Sequence, residues 1–384
     1  MNDKMQDSCV AALLLLSVTV SMGLSKAAKA QESIVRFELA EQLRIGHKPF
    51  SRDSLLLGST GRMAIGRTGH IYVADASVPT VYVFSASGDF VISIGRRGEG
   101  PGEFVELNGI FVGDNDSLFV FDINLRRISV FAPETHQFAY SVSVHGDAKS
   151  SPHRFLGVSE KGYLMVYQSS YYTAGGAGLG PDADRFATAK LVNRSGAIAR
   201  EVMTLPDHES LVITNNRGGI TAAMLPYGRL YQYQLAANGL LYGGYNESID
   251  IKVSSADGEA RKTIHHPHNA IRLTRKDIDA AFADVKREYW RTLRTVLADT
   301  KPAWTSFVVD NQERVWVRSY YDLFADPEPS EMTWTVLNPE GEIVGEVELP
   351  RRLAIRVIQA GIAYGVVYDY DSGPYVAVYA ITER

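Results

Sequence analysis

The chain has 384 residues, of which 45% are hydrophobic and 22% charged, the composition of an ordinary globular protein with a large core. Its formal net charge of −5 is too small to indicate a nucleic-acid partner. The single cysteine, Cys9, precedes the first apolar run, so composition excludes a disulfide framework and a thiolate metal site in the rest of the chain.

The N-terminus has the features of a secretory signal peptide. Val10–Met22 is an apolar run of suitable length for a signal and is too short to span a bilayer comfortably. The tripeptide at 28–30, Ala-Lys-Ala, fits the small-x-small rule for cleavage. We therefore expect residues 1–30 to be removed from an exported protein, periplasmic or extracellular, that keeps no membrane span. An uncleaved anchor is the alternative interpretation.

The body of the chain consists of short apolar runs separated by turn residues. Ile71–Asp75 corresponds to Leu118–Asp122, and the two terminal aspartates are 47 residues apart. Four short strands in a unit of this length are typical of a propeller blade. The pattern gives six units, near residues 62–95, 108–144, 154–204, 229–265, 304–349 and 353–382.

The sixth unit has only three strands, while Ser33–Ile45 is predicted to form one strand with no local partner. Pairing residues 33–39 with residues 375–380 completes the sixth sheet and removes two open sheet edges. The prediction is an all-β fold: a six-bladed β-propeller of four-stranded antiparallel blades, closed by the N-terminal strand and forming one domain over residues 31–384. An open β-sandwich is the alternative.

One segment has helical spacing. Thr274 and Asp277 resemble a capping box. Apolar residues then recur at helical intervals up to Lys301-Pro302, which predicts a helical insertion over about 274–299. The simplest interpretation is a helix packed on the ring through its apolar stripe; a gating helix is the alternative. The stripe consists of Ile278, Phe282, Val285, Tyr289, Leu293 and Val296.

The stretch Gly95–Phe104, followed by Leu118–Asp122 and Arg127–Phe131, resembles the blades of NHL-type and bacterial secreted six-bladed β-propeller proteins. The resemblance implies a six-bladed propeller in a group whose functions range from protein binding to lactonase- or lyase-like chemistry. A repeat motif marks the fold and not the activity. We expect Asp75 and Asp122 to bond backbone N–H groups of the turns that follow them.

In such a blade, the second-to-third and blade-to-blade connections share one face. The long loops near 169–185, 206–228, 267–303 and 320–331 all fall on it, together with many cations. This loop-rich face is therefore the predicted binding surface, because arginines suit carboxylate, sulfate or phosphate groups and aromatic rings suit stacking. The candidate ligand-binding residues are Arg154, Arg229 and Arg352 for anionic groups, the amide of Asn108, and the rings of Tyr172, Trp304 and Tyr320.

The predicted function is an exported binding module for an anionic carbohydrate or a protein. The alternative is a propeller enzyme using the same funnel. A polysaccharide lyase would need a Tyr or His base beside Arg. A lactonase-like hydrolase would need Ca²⁺ in the channel, yet the predicted starts of the inner strands carry no carboxylate. No catalytic residue and no metal ligand is assigned, and Ca²⁺ is the one cofactor considered.

Overall fold

The computed structural model describes residues 35–46, 57–58, 60–169, 185–214, 220–283, 293–324, 328–369, 371 and 373–384. The first three blades are four-stranded antiparallel sheets. Blade 1 contains β2 (Thr60–Ile65), β3 (Ile71–Asp75), β4 (Thr80–Phe84) and β5 (Phe90–Ile94). Blade 2 contains β6 (Leu107–Val112), β7 (Leu118–Asp122), β8 (Arg127–Phe131) and β9 (Phe138–Ser143). Blade 3 contains β10 (Ser150–Ser159), β11 (Gly162–Ser169), β12 (Phe186–Val192) and β13 (Ile198–Pro206).

A two-stranded hairpin, β14 (Ser210–Thr214) and β15 (Ile220–Met224), separates blade 3 from blade 4. Blade 4 contains β16 (Tyr231–Leu235), β17 (Leu240–Tyr245), β18 (Ile249–Ser255) and β19 (Ala260–His266). Blade 5 contains β20 (Trp304–Val309), β21 (Val315–Ser319), β22 (Glu331–Leu337) and β23 (Ile343–Pro350). Blade 6 contains β24 (Leu353–Gln359), β25 (Ile362–Asp369), β26 (Gly373–Glu383) and the N-terminal strand β1 (Val35–Ile45).

The six inner strands form a closed ring, which confirms the predicted six-bladed propeller. Each inner strand contacts the next, in the order β2, β6, β10, β16, β20 and β24, and β24 contacts β2 again. The apolar core lies between successive blades because each sheet is covered on both faces, as the fully buried β3 and β7 show.

The N-terminal strand closes the ring as predicted. It runs antiparallel to β26, with Phe37 opposite Glu383 and Ile45 opposite Val376. Its first residues also pair in parallel with β23, so that blades 5 and 6 form one eight-stranded sheet. Phe37 anchors this strand, because its ring is buried 4.8 Å from that of Trp316. The pairing with β26 covers residues 37–45 and not the predicted 33–39, because Val35 and Arg36 pair with β23 instead.

The two repeated aspartates hold the corners of blades 1 and 2. Asp122 accepts hydrogen bonds from the backbone of Leu125 at 2.8 Å and of Val105 at 2.6 Å. Asp75 accepts equivalent bonds from Ser77 at 2.9 Å and Gly58 at 2.7 Å. The expected bonds to the following turns are confirmed, and each carboxylate also binds the segment that enters its blade.

The Gly-rich connector between blades 1 and 2 is a compact crossing. Gly95 has a φ of +80°, and a Cβ there would lie 2.2 Å from the Phe104 ring, so glycine is required. The Arg127 guanidinium clamps the connector from β8. It donates to the carbonyls of Glu99, Gly100 and Glu103 at 2.8–2.9 Å.

The insertion between blades 4 and 5 begins with a short helix, α1 (Arg275–Ala281). The predicted capping box is confirmed, with Thr274 Oγ1 accepting from the Asp277 backbone and Asp277 accepting from the Thr274 backbone. Residues 293–296 are also helical, whereas Val285 and Tyr289 of the predicted stripe lie outside the described residues. The stripe residues Phe282 and Leu293 are buried in an apolar cluster that includes Tyr227, so this part of the stripe packs as expected. No helix among the described residues is long and apolar enough to cross a bilayer.

Candidate functional site

The inner strands share an irregularity that shapes the centre of the ring. Five of the six have a register shift that leaves one residue outside the ladder, whereas β16 is regular. Such bulges redirect side chains and are common beside functional sites. The extra residues are Gly61 in β2, Asn108 in β6, His153 in β10, Thr305 in β20 and Arg356 in β24, with a second one, Leu156, in β10.

Four arginines next to these irregularities form a continuous cluster of positive charge, which we call the arginine cluster: Arg62, Arg154, Arg318 and Arg356. Burial, followed by repulsion from Arg154 and Arg356, lowers the pKa of Arg62 to about 9. Burial is also the largest cause of the lowered pKa of Arg154. Tyr231 raises this pKa, and Arg356 lowers it. Burial and then Arg356 lower the pKa of Arg318. A guanidinium stays charged at neutral pH, so the lowered pKa values of Arg62, Arg154 and Arg318 show that these charges lie in an unfavourable environment.

The arginine cluster lacks the carboxylates that normally accompany buried arginines. None of its members forms an ion pair within the described part of the chain. Arg62 Nη2 donates to Asn108 Oδ1 at 2.6 Å, and Arg356 Nη2 donates to Tyr368 Oη at 3.1 Å. Arg318 donates to the Arg351 carbonyl. Arg154 makes no hydrogen bond to a described residue, and the buried Nε atoms of Arg318 and Arg356 have no partner.

A second group of polar side chains lies beside Arg154. Asp207 is buried and its Oδ1 accepts from Gln168 Nε2 at 2.9 Å and from the His208 backbone at 2.7 Å. The His208 ring meets the Tyr231 ring edge-on at 4.4 Å, and its Nδ1 is 3.2 Å from Asp207 Oδ1. Burial raises the pKa of Tyr231, so its phenol stays protonated. Asp207 is thus occupied by its own neighbours.

A cavity of about 1000 Å³ leads to the arginine cluster from the face of the short loops. Its mouth carries mixed charges from the loops between first and second strands and between third and fourth strands, including Asp114, Lys161 and Asp257. Arg154 and Arg356 belong to its lining. Between the mouth and the two arginines, the walls are mainly aliphatic, with three aromatic rings: Ile110, Phe111, Val112, Phe155, Leu156, Val158, Tyr233, Leu235, Val357 and Ile358. The cavity therefore suits a molecule with an apolar body and an acidic end.

The predicted anion-binding residues divide into two groups. Two of them lie at the centre of the ring. Arg154 is a member of the arginine cluster, and Asn108 accepts a hydrogen bond from Arg62. Arg229 does not, because it is 4% exposed and its Nη2 donates to Thr300 Oγ1 at 2.7 Å. Arg352 is half-exposed, 3.8 Å from Asp369.

The predicted stacking surface is not formed by the rings that the structure describes. Trp304 is 1% exposed, and its Nε1 donates to the Ser248 carbonyl at 2.8 Å within the core of blades 4 and 5. This corrects the prediction, which took the first residue of an inner strand to be accessible. Tyr320 packs beside Tyr227 in the helical insertion, with ring centroids 6.5 Å apart. Tyr172 lies outside the described residues.

Arg318 and Arg356 were not among the predicted site residues. Arg318 belongs to a second strand, and Arg356 is brought to the centre by a bulge that interrupts the strand alternation. Within the described residues there is no group of three or more His, Cys, Asp or Glu side chains arranged to hold a metal ion. The three histidines near residue 266 do not converge: His265 bonds Asp250 at 2.6 Å and His266 contacts the Gly341 carbonyl at 2.9 Å.

Comparison with known proteins agrees with the fold. A family model, DUF5128, described as a 6-bladed beta-propeller, matches residues 50–177. A Bacteroides fragilis protein assigned as exported superposes with a TM-score of 0.54 at 12% identity, covering 92% of this chain and 96% of its own. Two others superpose with a TM-score of 0.47. One is a DUF4221 member from Bacteroides vulgatus, with 14% identity, covering 91% of this chain and 99% of its own. The other is a gluconolactonase from Xanthomonas campestris, with 11% identity, covering 89% of this chain and 99% of its own. No curated protein sequence matches the chain.

Proposed function

We propose that this propeller binds an organic anion in its central channel, with Arg62, Arg154 and Arg356 holding the acidic group. The observation that carries the proposal is the arginine cluster itself: mutually repelling guanidinium groups with no carboxylate paired to them in the described structure. Keeping such charges buried is unfavourable unless something compensates them. A bound anion would supply the compensation and would accept from Arg356, whose buried Nε has no partner.

The walls of the cavity indicate what else the ligand carries. Its lining is mainly aliphatic, with the rings of Phe111, Phe155 and Tyr233 among the walls, whereas a sugar is usually bound by many polar groups. The predicted stacking ring of Trp304 is buried in the core and does not reach the cavity. The acidic group, a carboxylate, sulfate or phosphate, is the feature shared with the anionic carbohydrate expected from the sequence. The channel therefore favours a small amphipathic anion over a polymer lying on the loop-rich face. We also propose that the protein is exported, on the strength of the signal-like residues 1–30.

The test is calorimetric titration of the purified protein, at low ionic strength, with octanoate, benzoate, citrate and sulfate. Removing one buried charged donor should weaken binding about tenfold to a hundredfold. We therefore expect Arg154→Met and Arg356→Met to weaken it by that factor. The matched control is Arg261→Ala, which should leave binding unchanged. Arg261 is exposed on the outer strand β19 and pairs with Glu259, the residue before that strand. Equal losses in all three variants, or binding that survives Arg154→Met, would disprove the channel site.

A further inference from the structure

His153 stands apart from the other histidines because of its place in the backbone. It is the residue that the bulge adds to β10, between the pairs Pro152–Tyr167 and Arg154–Val166. Its imidazole is half-buried and makes no hydrogen bond to a described residue. The charged and titratable groups that act on it are Arg154, Arg62, His208 and Asp207. The bulge thus introduces a titratable ring, without a bonded partner, beside two members of the arginine cluster.

These surroundings keep His153 neutral at physiological pH. Burial is the largest cause, and repulsion by Arg154 and Arg62 adds to it, so that its pKa falls to about 4. His208 also lowers the pKa, and Asp207 acts in the opposite direction but more weakly. An anion among the arginines would reverse the balance, because an opposite charge favours the protonated imidazolium.

We propose that His153 takes up a proton when an anion occupies the arginine cluster, and that the site is thereby matched to groups carrying two negative charges. This inference rests on the proposed function, since it concerns the same channel. The proton comes from solvent and moves to a ring nitrogen of His153, and no covalent bond in the ligand changes. The ligand class that follows is a dianionic group such as a phosphate monoester or a dicarboxylate, whose second charge faces the imidazolium.

Proton uptake has a thermodynamic consequence that can be measured. If the anion binds together with a proton, its affinity rises as the pH falls through the pKa of His153 in the complex. The rise ends where His153 is protonated in the free protein as well. The free protein reaches that limit near pH 4. For wild-type protein we expect affinity to rise about tenfold between pH 7 and pH 5.

Sulfate is the probe, because it remains a dianion across this range, and nitrate is the monoanionic comparison. Titrations at pH 6 in two buffers with different heats of ionisation give the number of protons taken up. We expect uptake with sulfate, less with nitrate, and none in His153→Gln, whose sulfate affinity should change less than about twofold between pH 7 and pH 5. His208→Gln is the matched control and should retain the uptake.

The outcomes separate the two proposals. If sulfate binds to wild-type protein without proton uptake, or if uptake persists in His153→Gln or disappears in His208→Gln, the role of His153 is wrong while the channel site stands. If neither sulfate nor the organic anions bind, or if binding does not depend on Arg154, the proposed function itself fails. Thermal unfolding of His153→Gln verifies that the variant is folded.

Discussion

Two regions of this propeller hold partly buried cations in opposite ways. In the helical insertion, Lys301 Nζ lies 2.8 Å from Asp277 Oδ1 and 2.6 Å from Asp322 Oδ2, so one ammonium is matched by two carboxylates. In the channel, Arg62, Arg154, Arg318 and Arg356 meet without a carboxylate among their described neighbours. Lys301 fastens α1 to the loop after β21, so its charge stabilises structure. The channel arginines donate some hydrogen bonds to neutral groups, but no carboxylate among the described residues balances their charge, which is why we assign them to a ligand.

The largest expected effect is the loss of the lysine from the first region. Lys301→Met leaves Asp277 and Asp322 facing each other, each only 16–18% exposed, without the cation between them. Removing one partner of a buried ion pair is strongly destabilising, so we expect a loss of about 2–4 kcal/mol in the free energy of unfolding of the insertion. Hydrogen exchange at residues 274–283 measures this loss directly.

The control for Lys301→Met is the triple change in which Asp277 and Asp322 also become Asn. Because no unpaired carboxylate remains, it should recover more than half of the lost stability. If Lys301→Met leaves the free energy of unfolding and the exchange at 274–283 unchanged, Lys301 does not hold α1 to the loop after β21. The contrast between the two regions then fails.

Replacing a cation by methionine in the second region, the channel, should have the opposite effect on stability. Arg154→Met removes a half-buried charge that has no ion-pair partner in the described structure, and the methionine can pack against the aliphatic wall that includes Leu156. We expect the ligand-free protein to gain about 1–2 kcal/mol in stability, while anion binding weakens about tenfold to a hundredfold. Denaturant unfolding in low-sulfate buffer measures the gain. A loss of stability would mean that Arg154 is structural.

The sequence predicted the frame of the molecule better than its centre. The missing fourth strand of the last unit led to the partner at the N-terminus, and Thr274 with Asp277 marked a real capping box, because these signals depend on local spacing. Asp75 and Asp122 were assigned to corners for the same reason. All of these features repeat or lie close together in the chain.

The site was only partly predictable because it depends on register. Arg154 and Asn108 were found by assuming that inner strands begin near the channel, and the same assumption wrongly placed Trp304 at an accessible surface. Its strand begins within the core of blades 4 and 5, where the indole donates to the Ser248 carbonyl. Arg356 required knowledge of a bulge, which leaves no mark in the composition of β24. The emphasis on the loop-rich face also missed the cavity that opens among the short loops.

The smallest expected effect distinguishes the two regions by pH. Burial alone would raise the pKa of Asp277, but hydrogen bonds from Lys301 and Thr274 bring it down to about 2. A lowered carboxyl pKa contributes stability that is complete above the unfolded pKa of about 4 and is lost as the pH falls through about 2. The difference in stability between wild type and Lys301→Met should therefore shrink by about 1–2 kcal/mol between pH 4 and pH 2. The difference between wild type and Arg154→Met should stay nearly constant over the same range, since no carboxylate is paired with Arg154 in the described structure. Parallel curves for the two variants would show that the channel arginines do have an acidic partner, and would remove the reason for assigning them to a ligand.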